Sequence, residues 1–432
     1  MTGIGIGNVE VGALITIILI FAPTVSSQSS PEIPEDKSQV SAWFDANVMP
    51  ASERTGSIDP VLAQAETEPT VVKVVQGGGG DFETITEAIE SVPEGNDKRV
   101  IISIGPGSYK EKIKIERTKP FITFHGDPDG MPTLTFDGTA HDYGTVDSAS
   151  LIVESDFFMA VNLIIENSAP RPDGKTEGAQ AVALRISGDE AAFYNCKIIG
   201  FQDTLCDDRG NHFFMNCYIH GTVDFIFGSG KSMYLNTELY VDGDTGLTVI
   251  TAQARESQEE NTGYSFVHCT ITGTAQGAYL GRAWKTSPKV VYAYTDMSEV
   301  INPEGWSHNL RPERAQTVFY GEYKNTGPGA DQAGRVPFAA QLTENVAQEF
   351  LNLGFIEETL CMCVEMVELY AIKMALELFH DSQWNSKLDL MVEFDAFAVV
   401  EWCCGNSSTP WGIESLVVDI DTLVRIVVNI YI

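Results

Sequence analysis

Two aspartates, Asp203 and Asp224, lie within apolar stretches whose composition is typical of β-strands. An ionised carboxylate in apolar surroundings is costly unless it is paired or hydrogen-bonded, so its presence there indicates chemistry or a structural ion pair. Two carboxyl groups held in unlike environments can divide the roles of nucleophile and proton donor. These aspartates are therefore the first candidates for a catalytic pair.

A repeated segment indicates how the two aspartates meet. The stretches 193–200, 214–221 and 266–273 share a phenylalanine at the start, a cysteine at the fourth position and a closing glycine. The first two begin 21 residues apart, and Asp203 and Asp224 are separated by the same 21 positions. Such a repeat suits one coil of a parallel β-helix, in which equivalent positions stack about 4.8 Å apart. The pattern predicts that the two aspartates lie on successive coils, on the same face.

Three of the eight cysteines, Cys196, Cys217 and Cys269, occupy the same place in these repeats. Stacked positions in a β-helix are spaced by strand pairing rather than by disulfide geometry. Cysteine is also small and apolar enough for the interior of a coil. We therefore predict a buried ladder of free thiols.

Short strand-like stretches, separated by glycine and proline turns, fill the chain between residues 95 and 340, and helical periodicity is scarce there. Thr84 and Glu87 form a capping box that predicts a helix ending near Ser91. A last helix is predicted over Leu342–Leu353. These patterns favour an all-β solenoid over an alternating α/β fold.

Five segments resemble the pectin methylesterases (pectinesterases) of plants, in the order of that family and within residues 70–356. They are Gly107–Glu111, Gln180–Arg185, Gly200–Leu205, Gly221–Gly228 and Leu280–Trp284. The resemblance implies a right-handed parallel β-helix that the short N-terminal helix closes at one end. It also implies hydrolysis of the C6 methyl esters of homogalacturonan to pectate and methanol, with no metal and no other cofactor.

The resemblance assigns the catalytic roles to five residues. Asp224 is the expected nucleophile and Asp203 the expected acid and base, which requires a higher pKa for Asp203 than for Asp224. Arg282 is expected to keep Asp224 ionised, and the amides of Gln180 and Gln202 to stabilise the oxyanion. Taken singly, a glutamine also suits an internal amide ladder, and an arginine also suits a structural ion pair. Their joint occurrence favours the catalytic interpretation.

The substrate-binding residues that the resemblance implies are Thr145, Gln180, Phe227, Arg282 and Trp284. Trp284 lies two residues after Arg282, so on a strand both side chains would share one face. The rings of Trp284 and Phe227 are expected to form walls against which the sugar rings stack.

The sequence also departs from the family pattern. Cys206 stands where many pectinesterases have a substrate-facing tyrosine. This difference is expected to affect the substrate preference of one subsite and not the reaction. Ala254 stands where glycine is common, and it would strain its turn by about 1 kcal/mol if that position has a positive φ. The proposed chemistry needs no histidine, and His220 and His212 are predicted to be turn and surface residues.

The N-terminal region predicts export. Residues 1–27 resemble a secretory signal peptide, because the apolar run Val11–Pro23 is too short to span a bilayer. Residues 28–69 are rich in proline, serine and glutamate and form a leader, with one short helix near Val40–Val48. We therefore expect a secreted protein of the cell wall.

The C-terminal region, residues 357–432, resembles the middle of plant retroelement-type ribonuclease H domains. Glu368 and Asp395 match two metal-binding carboxylates of that family. The opening strand and the final region of such a domain have no counterpart, so a two-metal site would lack ligands. We predict an incomplete α/β fragment without activity; a Mg²⁺-dependent nuclease is the alternative.

The formal net charge of −33 argues against non-specific binding to nucleic acid. It also disfavours tight binding to densely charged pectate, whereas methyl esters remove charge from the polymer. The expected partners are methyl-esterified homogalacturonan and a proteinaceous inhibitor of pectinesterases. We expect a monomer that binds neither nucleic acid nor a membrane.

Two other functions remain open at this point. A polygalacturonase also uses two carboxylates, but no Gly-His-Gly accompanies the adjacent pair Asp207 and Asp208. A pectate lyase would need an acidic cluster that binds Ca²⁺. The alternative that is not an enzyme is a non-catalytic β-helix protein that binds pectin in the cell wall.

Overall fold

The computed structural model describes residues 31–47, 60–243 and 246–356, which form a right-handed parallel β-helix. Three parallel sheets run along the molecule, and a typical coil contributes one strand to sheet A, one to sheet B and one to sheet C. Sheet A has 11 strands, and sheets B and C have 8 each. The predicted all-β fold class is confirmed.

The strands are short, as the spacing of the turn residues predicts. Sheet A comprises Thr70–Val74, Val100–Ile104, Ile122–His125, Met159–Val161, Ala191–Tyr194, Asn211–Met215, Lys231–Leu235, Gly263–Val267, Lys289–Ala293, Phe319–Tyr323 and Ala339–Gln341. Sheet B comprises Ser108–Lys110, Thr133–Phe136, Ile164–Asn167, Lys197–Ile199, Tyr218–Gly221, Glu238–Val241, Thr270–Gly273 and Asp296–Met297. Sheet C comprises Ile113–Ile115, Leu151–Val153, Leu184–Ile186, Leu205–Asp207, Ile226–Gly228, Val249–Gln253, Tyr279–Arg282 and Trp306–Ser307.

Five short α-helices accompany the sheets in the described part of the chain. They are α1 (Val40–Asn47), α2 (Pro60–Ala65), α3 (Ile85–Ser91), α4 (Ala140–Tyr143) and α5 (Glu344–Ala347). Short 3₁₀ helices lie at Lys37–Gln39, Pro128–Gly130, Val146–Ser148, Pro312–Gln316, Pro328–Ala330, Gln348–Phe350 and Leu353–Ile356. None of the helices in these residues is both long and apolar enough to cross a membrane.

The 21-residue repeat corresponds to one coil. In sheet C, Leu184 pairs with Leu205, and Leu205 pairs with Ile226, each 21 residues further along the chain. Phe193 pairs with Phe214 in sheet A with the same offset. The strands that flank the two aspartates are therefore paired with the 21-residue offset that the sequence predicts.

An asparagine ladder turns the chain from sheet A into sheet B. Asn195, Asn216 and Asn236 have φ values of 49°, 54° and 50°, in the left-handed region that asparagine tolerates better than most residues. Asn195 donates a hydrogen bond to the side chain of Asn162, and Asn236 donates one to Asn216, both at 2.7 Å. The asparagine of the first two repeats is thus fixed by the corner that it forms, and His268 has the same left-handed place in the third.

The cysteine that follows this corner faces the interior. Cys196, Cys217 and Cys269 are buried free thiols, and their sulfur atoms contact backbone carbonyls, as Cys196 contacts Ala160 at 3.4 Å. The predicted thiol ladder is confirmed. Beside it, aromatic rings stack along the axis with centroids 4.5–4.7 Å apart, namely Phe193, Phe214, Tyr234, Phe266 and Tyr292. These buried rings explain why the repeat begins with an aromatic residue.

Helix α3 begins where the capping box predicts. The Thr84 hydroxyl accepts a hydrogen bond from the Glu87 amide at 3.2 Å. Glu111 caps the same helix end from a neighbouring coil, because its carboxylate accepts from the amides of Ile85 and Thr86 at 3.0 and 2.9 Å. The first turn of α3 is thus tied to the β-helix by a charge that suits a helix N-terminus.

The predicted last helix is shorter than expected. Over Leu342–Leu353, only Glu344–Ala347 is α-helical, and 3₁₀ turns follow it. The Asn352 side chain donates to the carbonyl of Gln348 at 2.6 Å, a local bond that competes with continuation of the helix.

Within the leader, the described segment 31–47 packs against the outer face of sheet A. The predicted helix is α1, which buries Val40, Trp43 and Phe44 in a cluster with Phe213 and other residues of that sheet. The ring of Phe44 stacks on Phe213 with centroids 6.1 Å apart. The signal peptide over residues 1–27 and the ribonuclease H-like fragment over 357–432 lie outside the described residues and remain predictions.

His212 is fully buried, so its prediction as a surface residue was wrong. Its Nδ1 lies 2.6 Å from the Asp207 carboxylate, and its Nε2 lies 2.9 Å from the carbonyl oxygen of Gly188. Both partners are acceptors, so the geometry suits an imidazolium that donates from both nitrogens. Tyr234 completes the network by donating to the second oxygen of Asp207 at 2.7 Å.

This buried pair predicts how stability changes with pH. Burial lowers the pKa of His212, but the charge and hydrogen bond of Asp207 outweigh it, so the pKa is raised overall. A raised pKa contributes stability that is fully present below the unfolded value of about 6.5 and is lost as pH rises through the folded value. Urea unfolding at pH 5.5 and 8.5 should show a larger advantage of the wild type over His212→Gln at pH 5.5. An equal difference at both values would contradict the charged pair.

Candidate active site

The two aspartates lie at the bends between sheet B and sheet C, not within strands as their apolar neighbours suggested. Asp203 has φ = 65° and Asp224 has φ = 50°, so both are left-handed. Aspartate tolerates this conformation because its short polar side chain can bond locally. The amide of Asp203 donates to the carbonyl of Val223 at 3.0 Å, which confirms that the two bends lie side by side on successive coils.

Arg282 approaches Asp224 from the end of the strand Tyr279–Arg282. Its Nε donates to one carboxylate oxygen at 2.7 Å, and its Nη2 donates to the other oxygen. This bidentate geometry is the strongest form of arginine–carboxylate contact. Asp224 is buried, and Arg282 is mostly buried, so solvent screens the pair only weakly.

The two carboxyl groups have unlike proton affinities. Burial raises the pKa of Asp203 well above its ordinary value, the charge of Asp224 raises it further, and Arg282 opposes both. Burial also raises the pKa of Asp224, but there the hydrogen bonds and charge of Arg282 oppose the rise directly. The geometry therefore favours a proton on Asp203 and an ionised Asp224, the order that the sequence predicts.

Gln180 and Gln202 lie on the coils beside the aspartates. The carbonyl of Gln180 accepts from the Ala140 amide at 2.7 Å, and the carbonyl of Gln202 accepts from Ala181 at 3.3 Å. Within the described part of the chain, neither side-chain amide makes a hydrogen bond to another residue. Both amides are half-buried and are not joined in an internal ladder, so they remain available to donate.

Thr145 lies in a loop that is tied to the same coil. The hydroxyl of Ser148 donates to the carbonyl of Thr145 at 2.6 Å and accepts from the amide of Val182 at 3.0 Å. Val182 follows Gln180 by two residues. The loop of Thr145 is therefore held against the coil that carries this glutamine.

Trp284 lies beside Arg282, but for a different reason than strand alternation. The strand ends at Arg282, and a tight turn follows in which the Trp284 amide bonds to the Arg282 carbonyl at 2.8 Å. This turn places the guanidinium carbon 5.2 Å from the centre of the Trp284 ring. The ring is 48% exposed, which leaves surface for a ligand.

Phe227 lies on the strand Ile226–Gly228, where its Cα pairs with Cys206 on one side and Ala252 on the other. The half-buried ring packs against a small apolar cluster on the outside of sheet C that includes the buried Cys206. Ala254 has no positive φ, so the strain considered for that position is absent.

Asn309 is a site residue that the sequence did not reveal. Its side-chain oxygen accepts a hydrogen bond from Nη1 of Arg282 at 3.2 Å. The contact joins residues 27 positions apart through a loop without repeat or motif, so no sequence signal pointed to it.

The arrangement suits attack on a carbonyl. An ionised carboxylate, a protonated neighbour and free amide donors on adjoining coils are what an ester hydrolase with an aspartate nucleophile requires. The fold and the site therefore define this class of hydrolase on a parallel β-helix.

The comparisons with known proteins name the family. The family model described as Pectinesterase matches residues 71–359, and the chain belongs to the pectinesterase family. It is 54% identical over 353 residues to "Putative pectinesterase 63" of Arabidopsis thaliana, which covers 82% of this chain and 96% of the relative. It is also 54% identical to "Pectinesterase 1" of Olea europaea over 351 residues, 81% of this chain and 95% of the relative. The protein is thus a carboxylic ester hydrolase.

Solved structures agree with this assignment. The "Pectin methylesterase from Carrot" has a TM-score of 0.63 and 33% sequence identity, over 66% of this chain and 93% of the carrot chain. A pectin methylesterase in complex with a hexasaccharide has a TM-score of 0.56 and 25% identity, over 67% of this chain and 96% of its own.

Proposed function

We propose that the protein hydrolyses the C6 methyl esters of homogalacturonan, with Asp224 as nucleophile and Asp203 as acid and base. The observation that carries the proposal is the bidentate contact of Arg282 with Asp224, one coil away from a carboxyl whose pKa is raised. The guanidinium keeps the attacking group ionised, and burial together with the like charge of Asp224 keeps the second carboxyl protonated.

In the first half of the reaction, a carboxylate oxygen of Asp224 attacks the ester carbon. The negative charge that develops on the carbonyl oxygen is stabilised by the amides of Gln180 and Gln202. Asp203 donates its proton to the methoxy oxygen as the bond to carbon breaks. Methanol leaves, and an anhydride joins the galacturonate carboxyl to Asp224.

In the second half, water attacks the anhydride, and the ionised Asp203 accepts a proton from it. The bond to Asp224 breaks and releases a carboxylic acid on the polymer, which loses its proton to the solvent and becomes a free carboxylate. Asp203 is again protonated and Asp224 again ionised, so the cycle closes without a metal or another cofactor.

For substrate binding, we assign the walls of the cleft to Thr145, Phe227 and Trp284, with Gln180 and Arg282 at the reacting ester. The complex of a related pectin methylesterase with a hexasaccharide supports a polymeric substrate. Methyl-esterified homogalacturonan suits a chain of net charge −33 better than pectate does, because each ester removes a charge from the polymer.

Trp284→Ala is expected to raise KM for esterified homogalacturonan about three- to tenfold and to leave kcat within about twofold. The exposed ring stacks on a sugar and contributes mainly to binding, with a magnitude typical of one aromatic contact. Steady-state methanol release measures both constants. Trp284→Phe is the matched control that keeps a ring, and its KM should lie between that of the wild type and that of Trp284→Ala. A fall in kcat alone would contradict this role.

The proposal also includes export to the cell wall, action as a monomer and recognition by a proteinaceous inhibitor. Relatives named pectinesterase support the wall as the place of action. The intact mass of the secreted protein would test both cleavage near residue 27 and the presence of residues 357–432.

The reaction is tested by measuring methanol and new reducing ends from the same sample of highly esterified homogalacturonan. The proposal predicts methanol without new reducing ends. Reducing ends without methanol would instead indicate a polygalacturonase, and unsaturated ends a lyase. Binding without either product would indicate a non-catalytic protein of the wall.

A further inference from the structure

The guanidinium of Arg282 is held from three sides. Asp224 accepts from Nε and Nη2, and the Trp284 ring lies against the guanidinium face. The remaining nitrogen, Nη1, donates to the side-chain oxygen of Asn309 at 3.2 Å. Without that acceptor, rotation of the guanidinium away from Asp224 would meet less resistance.

Asn309 reaches this position through the turn that follows the last strand of sheet C. That strand, Trp306–Ser307, pairs beside Arg282, and the Ser307 hydroxyl accepts a hydrogen bond from the Asn309 amide at 3.1 Å. Asn309 has φ = 55° and Leu310 has φ = 56°. Two consecutive residues other than glycine are therefore left-handed, a conformation that is costly for leucine.

Burial does not explain why this conformation is adopted. The side chain of Leu310 is 91% exposed, so it gains almost nothing from the turn. What the turn achieves is the contact between Asn309 and Arg282. Strained backbone that secures a contact within a site is a recognised indication of a functional constraint.

We infer that Asn309 is a positioning residue for Arg282. It fixes the plane of the guanidinium, so that both carboxylate oxygens of Asp224 stay engaged while one of them is aimed at the ester carbon. Asn309 acts through Arg282 and does not itself touch the reacting atoms. This inference rests on the proposed function for its kinetic consequence, but the contact itself can be tested without it.

Three variants of the full chain separate the role from the fold. Asn309→Gly keeps the left-handed backbone and removes the acceptor, whereas Asn309→Asp keeps both. Leu310→Gly relieves the strained residue and retains Asn309. We expect Asn309→Gly to lower kcat about tenfold with KM within about twofold, the size of one lost hydrogen bond to a charged group. Asn309→Asp should retain at least about a third of kcat, and Leu310→Gly should match the wild type.

A second readout needs no activity. In ¹⁵N-arginine NMR, the Nε–H signal of Arg282, assigned by its loss in Arg282→Lys, should exchange with solvent at least about tenfold faster in Asn309→Gly than in the wild type. Asn309→Asp should restore slow exchange. Unchanged exchange in Asn309→Gly, or a kcat loss that Asn309→Asp shares, would overturn the inference. If the wild type releases no methanol, the proposed function fails and the NMR result alone decides the role of Asn309.

Discussion

Asp224→Asn is expected to lower kcat for methanol release by about 10⁴-fold or more, because an amide cannot attack the ester carbon. Asparagine has the size of aspartate and tolerates the left-handed backbone at this bend. The fold should therefore be retained, with an unchanged far-UV circular dichroism spectrum. Gas chromatography of methanol released from esterified homogalacturonan measures the effect.

The matched control is Asp137→Asn, which makes the same chemical change at an exposed residue paired with Lys110. Exposed ion pairs contribute little, so activity and stability should equal those of the wild type. Activity of Asp224→Asn within about tenfold of the wild type would show that Asp224 is not the nucleophile.

Asp203→Asn is expected to lower kcat about 10³-fold and, in addition, to stabilise the protein. The loss of activity follows because methanol then leaves without a proton donor, a contribution typical of general acid catalysis. The gain in stability follows because the carboxyl lies half-buried beside the Asp224 charge, which disfavours its ionisation. A neutral amide removes that cost, which is about 1.4 kcal/mol for each tenfold increase in the proton affinity of the carboxyl.

The pH dependence of this gain has a definite sign. A carboxyl whose folded pKa is raised costs no stability below its unfolded pKa of about 3.9, and the cost grows as pH rises towards the folded value. Urea unfolding should therefore show a larger advantage of Asp203→Asn over the wild type at pH 8 than at pH 5. An advantage that shrinks with rising pH would contradict a raised pKa of Asp203.

The same two pKa values set the range of activity. Asp224 must be ionised and Asp203 protonated, so kcat/KM should fall on the acidic side as Asp224 gains a proton and on the basic side as Asp203 loses one. Because the pKa of Asp203 is raised well above its ordinary value, the basic limb belongs to a carboxyl.

Much of the coil could be predicted from the sequence because the β-helix repeats. The common offset of 21 residues placed Asp203 and Asp224 on adjoining coils, and the strand register agrees. The repeated cysteine was predicted correctly as a buried free thiol. These features follow from the pairing of strands in neighbouring coils, so they are visible as a repeat in a single sequence.

The parts that the sequence did not reveal depend on contacts between distant residues or on turns. The apolar neighbours of Asp203 and Asp224 predict strands, whereas both residues form left-handed bends. The sequence predicts a surface position for His212, because Asp207 and Gly188 contact its ring only in the folded coil. Asn309 carries no motif and acts only where the folded chain brings it to Arg282.

The most direct test of the proposed reaction is a crystal structure of Asp224→Asn with a methyl-esterified hexagalacturonate bound. We expect one C6 carbonyl carbon about 3–3.5 Å from the side chain of residue 224, the methoxy oxygen within hydrogen-bond reach of Asp203, and the carbonyl oxygen facing Gln180 and Gln202. An ester bound elsewhere on the β-helix, or with residues 203 and 224 on opposite sides of it, would contradict the proposed reaction.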